Sequence, residues 1–138
     1  QLDYWMTKQI IDSYQLELVS PVDWSDESQN INDRVRSYLD VNCGHCHSPT
    51  GNANSTGLYL HLDETRDIHL GIYKKPVATG RGSGGLKYSI VPGKPEESIL
   101  LHRMISLDPG VMMPESGRAL SHQEAVEMVR EWILLLKE

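Results

Sequence analysis

Apolar residues at Ile31, Val35, Tyr38 and Leu39 fall on an i, i+4, i+7, i+8 stripe, which predicts a helix capped by Asn30 and running directly into Cys43. A cleaner stripe, Ala125, Met128, Val129, Trp132, Ile133 and Leu136, predicts an amphipathic helix near the C-terminal end, opened by a capping box of Ser121 and Glu124. Between them Pro95 suits the first position of a middle helix. Glu96 and Glu97 lie near its positive end, and Leu100, Met104 and Leu107 line its inner face. Leu2, Met6, Ile10 and Tyr14 recur every fourth residue, predicting a short helix within residues 1–16.

The remaining stretches are connectors. "VSPVDWSDESQN" is punctuated by Pro21 and a Ser, Asp and Asn cluster, so residues 1–30 form an extension packed on the domain, or the tail of a preceding one. Residues 48–57 read as loop, "LYLHL" (Leu58 to Leu62) alternates briefly like a strand, and residues 71–94 are rich in Gly and Pro with little periodicity. "DPGVMMPESG" breaks the chain again before the last helix. The layout is an all-α domain over residues 31–138 with no internal repeat. Irregular segments that long need something to wrap around.

With 138 residues the chain is one domain with a modest core. Hydrophobic residues make up 39%, and the apolar run Trp132 to Leu136 falls far short of a bilayer span, so no membrane insertion is expected. Thirteen Lys and Arg against nineteen Asp and Glu leave a net charge of -6, which disfavours nucleic acid and anionic membranes and suits basic protein partners. The chain begins at Gln1 without a Met or a targeting pattern, as a processed or excised fragment would.

The only two cysteines stand together in "DVNCGHCHSP", so no disulfide framework is present and the pair acts as a unit. A structural zinc site needs four Cys or His ligands, and the second pair would have to come from His61, His69, His102 or His122; His61 and His69 are spaced too widely for a finger. A thioredoxin-like pair would follow a buried strand and open a helix, whereas this one closes a helix. Covalent haem attachment explains more of the residues. It requires two thiols spaced to meet two vinyl groups and a histidine next to the second thiol, and Cys43, Cys46 and His47 supply all three. His45, between the anchors, should then point away to the surface.

With these residues in view the chain resembles the class I c-type cytochromes with one haem. The likeness covers about residues 31–138: a helix ending in "CGHCH", a "MP" loop, and a C-terminal amphipathic helix containing Trp132. The phrases "YLDVNCGHCH", "GRGSGG", "IVPGKPEESIL" and "MMPESGR" also resemble haem domains of larger secreted bacterial redox proteins. The resemblance implies a class I cytochrome c fold in which the first and last helices cross beside one covalent haem c, bringing Val35, Tyr38 and Leu39 against Val129, Trp132 and Ile133. It implies His47 as proximal iron ligand. It puts the sixth ligand immediately before Pro114, which favours Met113 over its neighbour Met112; Met104, at helical spacing with Leu100 and Leu107, reads as core. Arg81, in "GRGSGG", and Arg118, just past the ligand loop, are candidates for the haem propionates, since an Arg fork suits a carboxylate. "GRGSGG" lacks the Lys-Ser/Thr ending of a nucleotide loop, and its other reading is plain flexible loop. A carbonyl near Pro92 could fix the proximal imidazole, against its reading as a turn proline. His61, His69, His102 and His122 read as surface or helix-face residues.

What the resemblance implies about function is an electron carrier rather than an enzyme, its iron cycling between Fe(III) and Fe(II) with His/Met ligation. Its partner is a redox protein of basic charge, such as an extracytoplasmic oxidoreductase that oxidises polysaccharide, and further domains are linked to it in a longer chain. Its location is periplasmic, cell-surface or secreted. The alternative is a haem enzyme (a peroxidase or oxidase component) or a ligand-binding sensor, either of which needs a displaceable sixth ligand.

Overall fold

A computed structural model of the chain describes residues 1–14 and 20–137. The described residues form five helices, α1 (Leu2–Thr7), α2 (Ile31–Leu39), α3 (Asp67–Leu70), α4 (Ile99–Ile105) and α5 (Gln123–Leu135), joined by loops and short 3₁₀ turns. They contain no β-strand, only two isolated bridges, Ile72 with Ile90 and Tyr88 with Ser98. The architecture is all-α. No helix among them is long and apolar enough to cross a membrane.

Asn30 caps α2 as its sequence predicts, its Oδ1 accepting from the Asn32 amide at 2.8 Å. One face of α2 buries Val35 and Leu39; one face of α5 buries Ala125, Val126, Met128, Val129, Trp132 and Ile133. These pack in a single core with Leu60, Ile90, Leu101 and Met104, and Tyr38 lies against it. A polar tie crosses the same interface, the Trp132 indole donating to Asn32 Oδ1 at 3.1 Å.

Several elements differ from expectation for identifiable reasons. Pro95 opens only a 3₁₀ turn, Pro95–Glu97, because buried Ser98 breaks the helix: its backbone is extended, and its hydroxyl accepts from Val91 N at 2.9 Å and donates to the Lys94 carbonyl at 3.0 Å. The helix restarts at Ile99 and its inner face becomes Ile99, Leu101 and Met104, so Leu107, beyond its end, is exposed. The Ser121 and Glu124 capping box does not form. Helix α5 starts two residues after Ser121 with no side-chain cap, and Ser121 Oγ takes the Gln123 side chain instead. "LYLHL" is not a strand: the amides of Tyr59, Leu60 and Leu62 go to three different acceptors, the carbonyls of His69 and His47 and the Asp40 carboxylate. Helix α1 stops at Thr7 and buries no residue. Residues 15–16 of that predicted helix, and Val19 at the head of the connector, lie outside the described residues.

The connector before α2 is tied to it, with Val22 N donating to Ser37 Oγ at 3.0 Å and Arg34 Nε to the Trp24 carbonyl at 2.7 Å. Loop 61–64 is held to the other side. Arg36 Nη2 meets the carbonyls of His61, Leu62 and Glu64 at 3.0, 3.0 and 2.7 Å, and Asp40 accepts the Leu62 amide at 2.9 Å.

Glu64 anchors the next turn. Its side chain is 3% exposed and accepts from Arg66 Nε and Nη2 at 2.8 and 2.7 Å, from the amides of Thr65 and Arg66, and from His69 Nδ1 at 3.1 Å. The Arg66 hydrogen bonds above all hold its carboxyl well below the ordinary carboxylate range. A depressed folded value stabilises fully above the ordinary 4.5, and that contribution drains away as pH falls below it. Glu64→Ala should therefore lower unfolding free energy by about 2 kcal/mol at neutral pH. Glu64→Gln should flatten the loss of stability on acidification, measured by urea unfolding from pH 5 to pH 3; equal acid slopes in wild type and variant would refute the assignment.

Candidate functional site

Helix α2 does not end at Leu39 but widens into a π-helical turn, Asp40–Gly44, that carries the first cysteine. Such widened turns are rare in helices and frequent where side chains must be redirected at functional sites. The Cys43 carbonyl then accepts two amides, from Cys46 at 3.1 Å and His47 at 2.8 Å. These i+3 and i+4 bonds put Cys43, Cys46 and His47 on one side of a helical turn, with the i+2 residue on the other. The exposures agree: Cys43, Cys46 and His47 are half-buried and His45 is exposed.

The chain downstream folds back over this turn. Ala53 N donates to the Cys46 carbonyl at 3.0 Å and Leu60 N to the His47 carbonyl at 2.8 Å. Gly51 lies so close that a Cβ there would sit 2.7 Å from the Cys46 carbonyl carbon and 2.8 Å from the His45 carbonyl oxygen.

The two thiols are not joined to each other. Burial, with the neighbouring Cys46 second, pushes the Cys43 thiol up to about 12, so it is a neutral thiol rather than a thiolate. Burial also lowers the proton affinity of His47, against an opposing effect of the Leu58 backbone, and the Arg103 and His45 charges lower it further. His47 Nδ1 is buried and has no hydrogen-bond partner. The backbone facing the ring is that of Leu58; Pro92 is buried in the core, and its neighbour Gly93 donates to the Ile133 carbonyl.

The methionine loop approaches through α4. Met113 N donates to the Arg103 carbonyl at 3.0 Å and Met112 N to the Asp108 carbonyl at 2.8 Å; both methionines are half-buried, and Met104 is in the core as expected. Arg118 turns its guanidinium onto the C-terminal carbonyls of α4, donating from Nη1 to Met104 at 2.7 Å and from Nη2 to Arg103 and Ser106, with Nε buried and unpartnered. Its charge reaches Tyr38, which in turn feels Cys43. Arg81 is exposed and pairs with Asp108 at 3.0 Å. The structure thus brings Arg118 to the cysteine turn by way of Tyr38, and leaves Arg81 on the outer side of the methionine loop.

Two features escape a reading of the sequence. Arg103, whose charge faces His47, sits next to Met104 on a short helix, where an Arg carries no signal. Trp24, Tyr38 and His122 form an aromatic cluster beside Cys43, with ring centroids 4.8 to 5.9 Å apart and the Tyr38 hydroxyl 3.1 Å from His122 Nδ1. Its members are far apart in sequence, and only the crossing of α2 and α5 unites them.

A face carrying two free thiols and one imidazole suits a group that needs two covalent anchors and one nitrogen ligand. Among the described residues no three Cys, His, Asp or Glu side chains converge on one point, so the pair is not completed toward a four-ligand zinc shell. Two open surface grooves, one beside Trp24 and Glu124 and the other beside Tyr88 and Lys94, have none of the predicted site residues in their walls. Compared with known proteins, the chain matches no family model, no curated sequence and no solved structure.

The Gly51 contact gives a direct test of how the turn is held. Gly51→Ala should cost about 2 kcal/mol of stability, read by denaturant unfolding, and should increase the rate at which a thiol reagent alkylates Cys46. Unchanged stability together with an unchanged alkylation rate would show that the fold-back does not brace the cysteine turn.

Proposed function

We propose that residues 31–138 are a class I c-type cytochrome domain that carries single electrons between redox proteins outside the bacterial cytoplasm. The observation that carries this reading is the common face of Cys43, Cys46 and His47, with His45 turned to solvent, at the foot of a helix that crosses α5. The donor set fits a covalently held haem: two unpaired thiols three residues apart and an imidazole on the next position. A zinc shell would need further donors, and among the described residues none converge with the two thiols.

Bound there, a haem c supplies a one-electron Fe(III)/Fe(II) couple. Cys43 and Cys46 anchor it, and His47 provides the proximal nitrogen. Met113, with its backbone tied to α4, provides a thioether that favours electron transfer over binding of oxygen or peroxide. The folded-back segment, through Ala53 and Leu60, would hold the cysteine turn in place when such a group is bound. No substrate chemistry is required of the chain. The net charge of -6 favours brief, salt-sensitive docking of a basic redox protein, and an oxidoreductase acting on polysaccharide is a suitable class of partner.

Expression through a bacterial c-type maturation system should yield one haem c per chain, read as a pyridine haemochrome spectrum. The oxidised protein should show the weak far-red sulfur-to-iron band. Met113→Ala should abolish that band and lower the reduction potential; its persistence would assign the ligand to Met112. Recovery of folded, zinc-loaded protein without haem would overturn the reading, and ready carbon monoxide binding by the reduced protein would replace the carrier with a haem enzyme or sensor.

A further inference from the structure

The net charge of -6 conceals a segregation of sign. Residues 68–95 contain Lys74, Lys75, Arg81, Lys87 and Lys94 and no Asp or Glu, while the rest of the chain sets eight Lys and Arg against nineteen carboxylates. Part of this basic stretch borders an open groove of about 420 Å³. Leu86, Val91 and the rings of Tyr73 and Tyr88 give the groove apolar walls, and Lys87 and Lys94 stand in it with Glu97. Lys94 shares Glu97 at 3.5 Å, whereas Lys87 is exposed and has no ion pair among the described residues. No residue of the cysteine turn or of the methionine loop lines it.

Backbone geometry holds the two tyrosines at this groove. Gly71 and Tyr73 both have positive φ, 105° and 49°. Tyr73 N donates to the Ile90 carbonyl at 2.9 Å, and Ser89 N to that of Lys74 at 2.8 Å. The turn so fixed sets Ile72 against the core and leaves Tyr73 outside, its ring 5.7 Å from that of Tyr88 and nearly perpendicular to it. A left-handed backbone suits glycine and costs a residue with a bulky side chain. Burial does not offset that cost here, because Tyr73 is 42% exposed. Strain accepted in order to present a ring at an open groove points to a ligand for the ring.

We propose that this groove docks a short acidic segment of a partner protein, with Tyr73 and Tyr88 as its apolar contacts and Lys87 as the cation that meets a carboxylate. Tyrosines beside an apolar floor are side chains on which protein interfaces concentrate their binding energy. The charge narrows the occupant further. An extended polyanion, such as nucleic acid or an anionic bilayer, would also meet the excess carboxylates of the rest of the chain, whereas a short acidic segment meets only the basic stretch. The proposal does not rest on the cytochrome reading. Its partner is opposite in charge to the redox protein proposed above, so the two do not compete for one surface.

The test follows the fluorescence anisotropy of a labelled peptide, Glu-Glu-Asp-Leu-Glu-Glu, as the full chain is added at low salt. The protein is used as it emerges from the maturation system, and its haem content does not enter the readout. The peptide should bind, and its binding should weaken as salt is raised. Lys87→Glu should weaken it about tenfold, while Lys137→Glu, the same change at another exposed lysine, should alter it by less than about twofold. Tyr73→Gly removes the ring and suits the left-handed backbone, so it should keep the fold and bind about tenfold more weakly. Equal effects of Lys87→Glu and Lys137→Glu, or wild-type affinity in a folded Tyr73→Gly, would overturn the site. The two lysine variants change only exposed side chains, so they decide the matter whatever the stability of Tyr73→Gly. Failure of the peptide to bind, or tighter binding to vesicles of anionic phospholipid than to the peptide, would overturn the choice of an acidic protein segment as occupant.

Discussion

Val35 and Leu39 packing against Val129, Trp132 and Ile133 is the contact on which the remaining structure depends. A nine-residue helix such as α2 has no independent stability in water, so its direction is set by what it packs on. Burying each of these side chains is worth about 1.5–3 kcal/mol, and the Trp132 to Asn32 hydrogen bond fixes the register at which the two helices meet. Because α2 continues without interruption into the π turn that bears Cys43, the same contact orients the cysteine turn. An error in the crossing would move Cys43, Cys46 and His47 together.

The loops that surround this crossing bury Leu60, Ile90 and Val91, and apolar packing alone does not hold them. They are pinned by a few polar residues that each satisfy several backbone groups: Arg36 on three carbonyls, Glu64 on two amides, a guanidinium and an imidazole, and Ser98 on one amide and one carbonyl. In a domain without sheets, loop backbone groups have no ladder to join and each needs a local partner. Side chains with several donors or acceptors provide this at the least cost in ordered residues, which is how a segment as irregular as 48–94 holds one shape.

Helices α2 and α5 are legible in the sequence because a 3.6-residue period over two turns or more has few competing explanations, and their core residues are those the stripes name, Val126 being added. The face shared by Cys43, Cys46 and His47 is legible for the same reason, since i, i+3 and i+4 positions coincide on any helical turn. What the stripes do not show is where hydroxyl groups interrupt them. Ser98 and Ser121 both lie at predicted helix starts, and both spend their hydrogen bonds on local groups rather than on the helix. Arg103 is invisible for a different reason: its importance lies in contacts with Gly82, Val111 and Met113, which belong to two loops with no periodicity to register them.

Arg36, Arg103 and Arg118 share one design, in which a guanidinium is taken off the surface and turned onto main-chain carbonyls. For Arg118 a lysine could not serve, because its Nη1 and Nη2 reach different carbonyls that one nitrogen would not span. The consequence reaches beyond packing. In a chain of net charge -6, the Arg103 charge lowers the proton affinity of His47, after burial, and the Arg118 charge lowers that of Tyr38 against the upward effect of burial.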